Sequence, residues 1–229
     1  MDNDLAMLAE RALQLVADGA GIGLGTGRAA NAFIHALAER VRQGLRISCI
    51  PTSEATAQLA GSLGIPVGTL DSDAPLDLTV DGADEVEEGT LNLIKGWGGA
   101  LARERIVAAA SRRQVILVTT EKLVPRLGAR GKVPVEILPF AELFVRRRIQ
   151  QLPEGLGPAQ RVESGRPFVT DNGHWILDCS LRPPPDVFAL DRSLRSIPGV
   201  VDTGFFLGTA SVVLVAEGGR LREITKKRL

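Results

Sequence analysis

Apolar positions along the chain follow two rhythms, and the switches between them outline the fold. Leu5, Leu8, Leu15 and Val16 recur at helical spacing behind the candidate caps Asn3 and Asp4, and Gly19 ends the run. "AGIGLG" then reads as a short buried strand, and a glycine turn leads into "RAANAFIHALAERVRQG", where Phe33, Ile34, Leu37 and Val41 make one helical face. "LRISCIP" reads as a second strand, "SEATAQLAGSLG" as a helix capped by Thr52 or Ser53, and "LDLTV" as a strand running into Asp81. A helix around residues 100–111 precedes the strand "QVILVTT". Strands apolar on both faces that alternate with helices predict a parallel sheet covered on both sides, a Rossmann-like α/β architecture.

The rhythm changes near Lys132. "KVPVEIL" predicts a strand, "PFAELFVRRRIQQL" a helix, and "RPFVTDNGHWILDCSL" a hairpin turning at Asn172-Gly173. "DVFALDRSLRSI" reads as a helix and "GVVDTGFFLG" as a strand. The order β-α-β-β-α-β is the ferredoxin-like pattern. The tail "SVVLVAEGGRLREI" predicts a hairpin that rejoins the first sheet. The expected organisation is therefore a Rossmann-like domain of residues 1–131 and 208–229, with a ferredoxin-like α+β domain inserted at 132–207.

Composition narrows the function classes. Lys plus Arg equals Asp plus Glu at 27 each, so no broad basic field points to nucleic acid. The acidic, amphipathic N-terminus is unlike a signal peptide, and no apolar run reaches membrane-spanning length, so the cytoplasm is the expected location. Cys49 and Cys179 lie in apolar strand-like runs and read as buried thiols, not as a metal site or disulfide. His35 and His174 read as structural or surface residues.

Candidate chemistry sits at strand ends. In "GIGLGTGRAA" the glycines follow a strand and open a helix, which gathers backbone N–H groups and a helix N-terminus at one point, a setting for phosphate. Gly25-x-Gly27-x-x-Ala30 also fits a loose dinucleotide fingerprint, with Glu54 placed for a ribose contact, while the bland reading is close packing of small residues. In "DGADEVEEGTLNLIKGWGGALARERI", Asp81 and Asp84 follow one strand, Lys95 follows the strand-like "LNLI", and Glu104 lies early in the next helix. Parallel α/β sheets bind ligands at these carboxyl ends, so the four can converge with the glycine turn. Glu85, Glu87 and Glu88 read instead as a solvated charged loop. A carboxylate, an ammonium and an anion-binding turn suit proton transfer next to a carbonyl, with the cation stabilising an enediolate oxygen. That is aldose–ketose isomerisation, and it needs neither metal nor nucleotide.

"GLGTG", "DGADEV", "LNLIKGWGGALARERIVA", "EKLV…LG…KVPVEI", "VTDNGHWILD" and "IPGVVDTGFF" together resemble the type A ribose-5-phosphate isomerases, in order through nearly the whole chain. The resemblance implies interconversion of ribose 5-phosphate and ribulose 5-phosphate in the pentose phosphate pathway, without cofactor or metal, by a homodimer or homotetramer. Carried over by position, Glu104 matches the general base and Lys95 the lysine at the substrate oxygens. Asp81 and Asp84 match carboxylates that bind hydroxyls and assist ring opening, and Lys122 a lysine on the phosphate side. The substrate-binding set then comprises Thr26, Gly27, Arg28, Ala29, Asp81, Gly82, Ala83, Asp84, Lys95, Gly96, Trp97, Gly98 and Lys122. The family usually reads GTGST and KGGG where this chain has Gly25-Thr26-Gly27-Arg28-Ala29 and Lys95-Gly96-Trp97-Gly98. Arg28 is expected to bond the phosphate in place of the missing hydroxyls. The rival expectations are a sugar-phosphate-sensing module, an isomerase of a related phosphosugar, and a nucleotide-dependent oxidoreductase.

Overall fold

The computed structural model describes residues 2–70 and 75–225; Met1, residues 71–74 and residues 226–229, which fall within the expected first domain, lie outside the described residues. Six strands form the main sheet in the order Arg220–Thr225, Val212–Glu217, Gln114–Thr119, Leu78–Gly82, Ala20–Leu24, Ile47–Pro51. All neighbours pair in parallel except Arg220–Thr225, which folds back antiparallel on Val212–Glu217 at one edge. The unbroken apolar run Val115, Ile116, Leu117 and Val118 is buried throughout, as a strand covered on both faces requires.

Helices Asp2–Leu13 and Arg28–Arg42 pack together with the sheet. Their apolar stripes, Leu8 and Ala12 on the first and Phe33, Ile34 and Leu37 on the second, share one core cluster with Ile22, Leu24 and Val80. The first helix stops at Leu13; Leu15 and Val16 belong to the following turn, where they still pack on that core. Ser53 caps the helix Glu54–Ser62 by accepting the Thr56 N–H at 3.1 Å.

A second sheet is fully antiparallel, in the order Val200–Thr203, Lys132–Ile137, Trp175–Ser180, Gly157–Gln160, and it accompanies helices Glu142–Gln150 and Val187–Arg195. The expected hairpin is corrected here. Asn172-Gly173 does turn the chain, with Gly173 at φ 76°, but it closes only the bridge between Val169 and Trp175. Trp175–Ser180 pairs along its whole length with Lys132–Ile137 and, on its other side, Leu177–Ser180 pairs with Gly157–Gln160. "GPAQ" carries little strand propensity, and its proline is tolerated because the strand lies at the sheet edge.

"LNLI" does not end at the main sheet either. Leu93–Ile94 sits in a third sheet of short strands, between Phe205–Phe206 and Glu85–Glu87, with Leu123–Val124 beyond. This small sheet delivers Lys95 to the carboxyl end of Leu78–Gly82. Gly204 interrupts the expected strand "GVVDTGFFLG", since a Cβ there would lie 2.5 Å from the Lys95 carbonyl oxygen. The Lys95 N–H donates to the Gly204 carbonyl at 2.9 Å, so the missing side chain is what lets the two backbones meet.

Candidate active site

Two neighbouring strand ends of the main sheet form the floor of a cavity of about 270 Å³. Ala20–Leu24 ends in Gly25, where a Cβ would lie 2.2 Å from Asp81 Oδ1, so only glycine lets the two strand ends close. The Thr26 hydroxyl joins a hydroxyl cluster, 2.8 Å from Thr52 Oγ1, 2.9 Å from Ser53 Oγ and 3.2 Å from Thr56 Oγ1. Gly27, at φ 107°, then opens the helix Arg28–Arg42 without any side-chain cap. The first N–H groups of that helix have no intrahelical acceptor and stand at the cavity with the positive end of the helix dipole.

Asp81 lies beneath the cavity, not in its wall. Its Oδ1 accepts from the Thr26 and Gly82 N–H groups at 3.2 and 2.7 Å, and its Oδ2 is 2.9 Å from Lys95 Nζ. Lys95, 2% exposed, also donates to the Gly82 carbonyl at 2.6 Å and lies 3.4 Å from Glu104 Oε1. Glu104 enters from the first turn of the helix Leu101–Ala109. Its other oxygen, Oε2, is buried and without a hydrogen-bond partner, although the side chain lines the cavity. A desolvated carboxylate on a cavity wall, with one oxygen free of hydrogen bonds, is the arrangement a proton-abstracting base needs. Asp84 lines the same cavity with Oδ2 held by the Trp97 N–H at 2.9 Å.

The titration of these groups follows from their burial. Desolvation pushes Glu104 up to about 8; Lys95 opposes the rise, while Asp81 and Asp84 add to it. Burial likewise raises Asp84, partly offset by the Trp97 N–H and by Lys95. Desolvation disfavours the Lys95 ammonium, but the charges of Asp81 and Glu104 outweigh it and hold the group protonated well above its ordinary range.

Of the expected residues, Gly27, Arg28, Ala29, Gly82, Ala83, Gly96, Gly98 and Lys122 line the cavity together with Thr26, Asp84, Lys95 and Glu104. Trp97 does not. Its ring lies outside, 5.7 Å from Lys122 Nζ, 5.4 Å from the Arg130 guanidinium and 5.1 Å from Lys132 Nζ, and only its backbone serves the site. Glu54 also fails its expected role at a nucleotide ribose, because it pairs with Arg103 at 2.8 Å away from the cavity wall. Glu85 is not solvated: fully buried, it accepts the Gly128 and Arg130 N–H groups at 2.7 Å each. Glu87 bonds Thr90 and the Leu127 N–H, whereas Glu88 is exposed. Five wall residues, Leu5, Leu117, Val118, Thr119 and Glu121, are not anticipated by the sequence reading. Thr119 carries a signal, since it ends a parallel strand on the ligand side.

Comparison with known proteins agrees with this geometry. The sequence profile of a family described as Ribose 5-phosphate isomerase A (phosphoriboisomerase A) matches residues 48–219. A ribose-5-phosphate isomerase A of Gloeobacter violaceus is 49% identical over 95% of this chain and 94% of its own length. One from Bradyrhizobium diazoefficiens is 44% identical over 100% of this chain and 98% of its own. Among solved structures, ribose 5-phosphate isomerase A of Methanocaldococcus jannaschii superposes with a TM-score of 0.92 at 38% identity, covering 99% of this chain and 100% of that one. A D-ribose-5-phosphate isomerase in complex with phospho-erythronic acid gives 0.92 at 33% identity, covering 97% of each chain.

Proposed function

The chain belongs to the ribose 5-phosphate isomerase A family, and on that footing we propose which of its side chains carry the reaction. The enzyme interconverts D-ribose 5-phosphate and D-ribulose 5-phosphate, an aldose–ketose isomerisation of the pentose phosphate pathway. In our reading Glu104 Oε2 removes the C2 proton of the open-chain aldose. The electron pair forms the C1–C2 double bond of an enediolate, and the former carbonyl oxygen takes the negative charge. Lys95, fixed between Asp81 and Glu104, faces that oxygen as charge develops. Glu104 returns the proton to C1 while the hydroxyl proton on O2 passes to the O1 oxyanion, so that C2 becomes the ketone and C1 carries the new hydroxyl. Asp84, whose carboxyl burial holds above its ordinary range, relays a proton during ring opening. Asp81 acts through Lys95 and the loop N–H groups instead of through a substrate hydroxyl.

The phosphate is assigned in this reading to the uncapped start of the helix Arg28–Arg42, with Arg28 and Lys122 as the cations on the cavity wall there. We also infer the domain division at 131/132 and 207/208, supported by the main-sheet core, which draws on no residue of 132–207, while Ile94, Val124 and Leu127 join the core of the antiparallel sheet. The exposed Phe140, Leu143 and Phe144 support a homo-oligomer, which light scattering would test. A cytoplasmic location is part of the same proposal, compatible with the absence, among the described residues, of a helix long and apolar enough to cross a membrane. The observation that carries the assignment is the unpartnered Glu104 Oε2 beside Lys95. An assay of ribose 5-phosphate to ribulose 5-phosphate with EDTA present, on wild type and Glu104→Gln, tests it. Turnover that needs an added divalent ion, or a fully active variant, sinks it.

A further inference from the structure

Arg161 belongs to the antiparallel unit, yet its guanidinium reaches the loop that follows Lys95. Its side chain is 12% exposed and locked by Asp178, with Nε 2.9 Å from Oδ2 and Nη2 2.6 Å from Oδ1. The remaining Nη1 donates to two successive carbonyls, Gly96 at 3.1 Å and Trp97 at 3.0 Å. Phe168 lies under the guanidinium and fills the space beside Gly99, where a Cβ would come within 2.5 Å of the ring.

The two carbonyl bonds fix more than a loop. A trans peptide is planar, with its N–H opposed to its C=O. The Gly96 carbonyl accepts the Gly99 N–H at 3.0 Å as well as Arg161, and with it held there the Trp97 N–H turns the other way, where it is found on Asp84 Oδ2 in the cavity wall. The same rule applied to the next peptide turns the Gly98 N–H to the cavity side. Gly98 lines the cavity, and among the described residues its N–H meets no acceptor.

We propose that the Gly98 N–H is a donor to the substrate's enediolate oxygen, working beside Lys95, and that Arg161 is the positioning residue that aims it. The idea rests on the enediolate reading above and adds a residue from the inserted unit to it. A backbone donor held from behind needs no reorganisation as charge develops, which is the condition under which such a donor is effective. Arg161 suits the task because its planar fork satisfies Asp178 and still leaves one nitrogen for both carbonyls; a lysine has one point of charge to divide among all four acceptors.

The test uses phospho-erythronic acid, whose planar carboxylate carries charge where an enediolate does. In wild-type protein labelled with ¹⁵N-glycine, saturating phospho-erythronic acid should move the Gly98 amide proton strongly downfield. Arg161→Met and Arg161→Lys should each lower kcat roughly 10-fold or more, since loss of one oxyanion donor typically costs 10²–10³ and here the donor is only misaimed. Affinity for phospho-erythronic acid should fall by a similar factor, while KM for ribose 5-phosphate stays within about threefold. An unmoved Gly98 amide overturns the proposal, and so does a parallel loss of analogue and substrate affinity. The amide measurement needs no variant, so it decides the matter even where Arg161→Met fails to fold. Should Glu104→Gln prove fully active, the base assignment fails, while the Gly98 shift still reports on the donor by itself.

Discussion

The cavity has two ends built on opposite principles. At its floor Asp81, Lys95 and Glu104 are each at most 6% exposed and are bonded to one another or to backbone. At its mouth Arg28 stands exposed and Lys122 half-buried beside a bare helix N-terminus. Charges at the floor act through a desolvated medium in which a unit charge a few ångströms away matters greatly; those at the mouth act through water. The floor is suited to altering reactivity and the mouth to capturing an anion. The same fold thus keeps chemistry and affinity apart by burial, and the comparison can be broken from either end.

Glu104→Gln attacks the floor most directly. The amide keeps the shape but accepts no proton, so kcat should fall about 10²–10⁴-fold with ribose 5-phosphate affinity largely unchanged. Steady-state kinetics together with direct substrate binding would show this. A variant with near-normal kcat would move the base elsewhere, with Asp84, the other carboxylate on the cavity wall, first in line.

Lys95→Ala should come next, and it should cost both stability and rate. The ammonium is the cation between two buried carboxylates and the Gly82 carbonyl. Removing one partner from such a buried group typically costs about 3–5 kcal/mol, because the remaining charges are left unpaired. The melting temperature should drop, and kcat should fall more than ground-state binding weakens. Lys95 also restrains the rise of Glu104, so the acid limb of the rate profile should move to higher pH in this variant. A rise in KM alone would make Lys95 a mouth residue in function and erase the contrast.

The pH profile sharpens the comparison without mutation. Glu104 must be ionised to act, and its pKa is raised from the carboxylate range to about 8. The profile of kcat/KM should therefore climb as pH rises through the neutral-to-alkaline range, not near 4.5. The stability consequence has the opposite sense. A carboxyl whose folded pKa exceeds its unfolded one contributes stability below the unfolded value and loses it as pH rises through the folded value. Wild type should lose melting temperature relative to Glu104→Gln as pH rises from about 4.5 to about 8, with the difference levelling off above that. An acid limb near 4.5 would show that the floor is wetter than its burial indicates.

What can be read from the sequence follows the same divide. Strands such as "QVILV" and the helix faces of Phe33, Ile34 and Leu37 declare themselves, because burial on both faces or at a 3.6 period leaves few alternatives. The edge strand "GPAQ" does not, since pairing to Trp175–Ser180 overrides its weak local preference. Asp84, Lys95 and Glu104 line the cavity, as residues that follow strand ends should. Asp81 and Glu85 depart from expectation for one reason: sequence shows a carboxylate but not whether backbone N–H groups are waiting for it. Asp81 serves Lys95 and the N–H groups of Thr26 and Gly82, and Glu85 the loop at Gly128 and Arg130. Trp97 joins the expected substrate set through its neighbours in the motif, yet its ring faces Lys122, Arg130 and Lys132 outside the cavity.

The smallest effect should come from the mouth. Arg28 is exposed at the first position of an uncapped helix, on the cavity wall. A guanidinium there can reach a phosphate that the helix N-terminus already attracts. Because it works in water, its contribution should sit near the low end for a charged hydrogen bond, about 1.5 kcal/mol, or roughly a tenfold rise in KM for Arg28→Ala. kcat should hardly change, since the phosphate is remote from the proton transfer. The wild-type KM should also rise with salt, because exposed charges are screened over about 10 Å at 0.1 M, whereas kcat, set at the buried floor, should not. In Arg28→Ala the salt dependence of KM should be shallower by the share that Arg28 carried. An unchanged KM, or a salt slope identical to wild type, would show the guanidinium turned to solvent and leave phosphate capture to the helix N-terminus and Lys122.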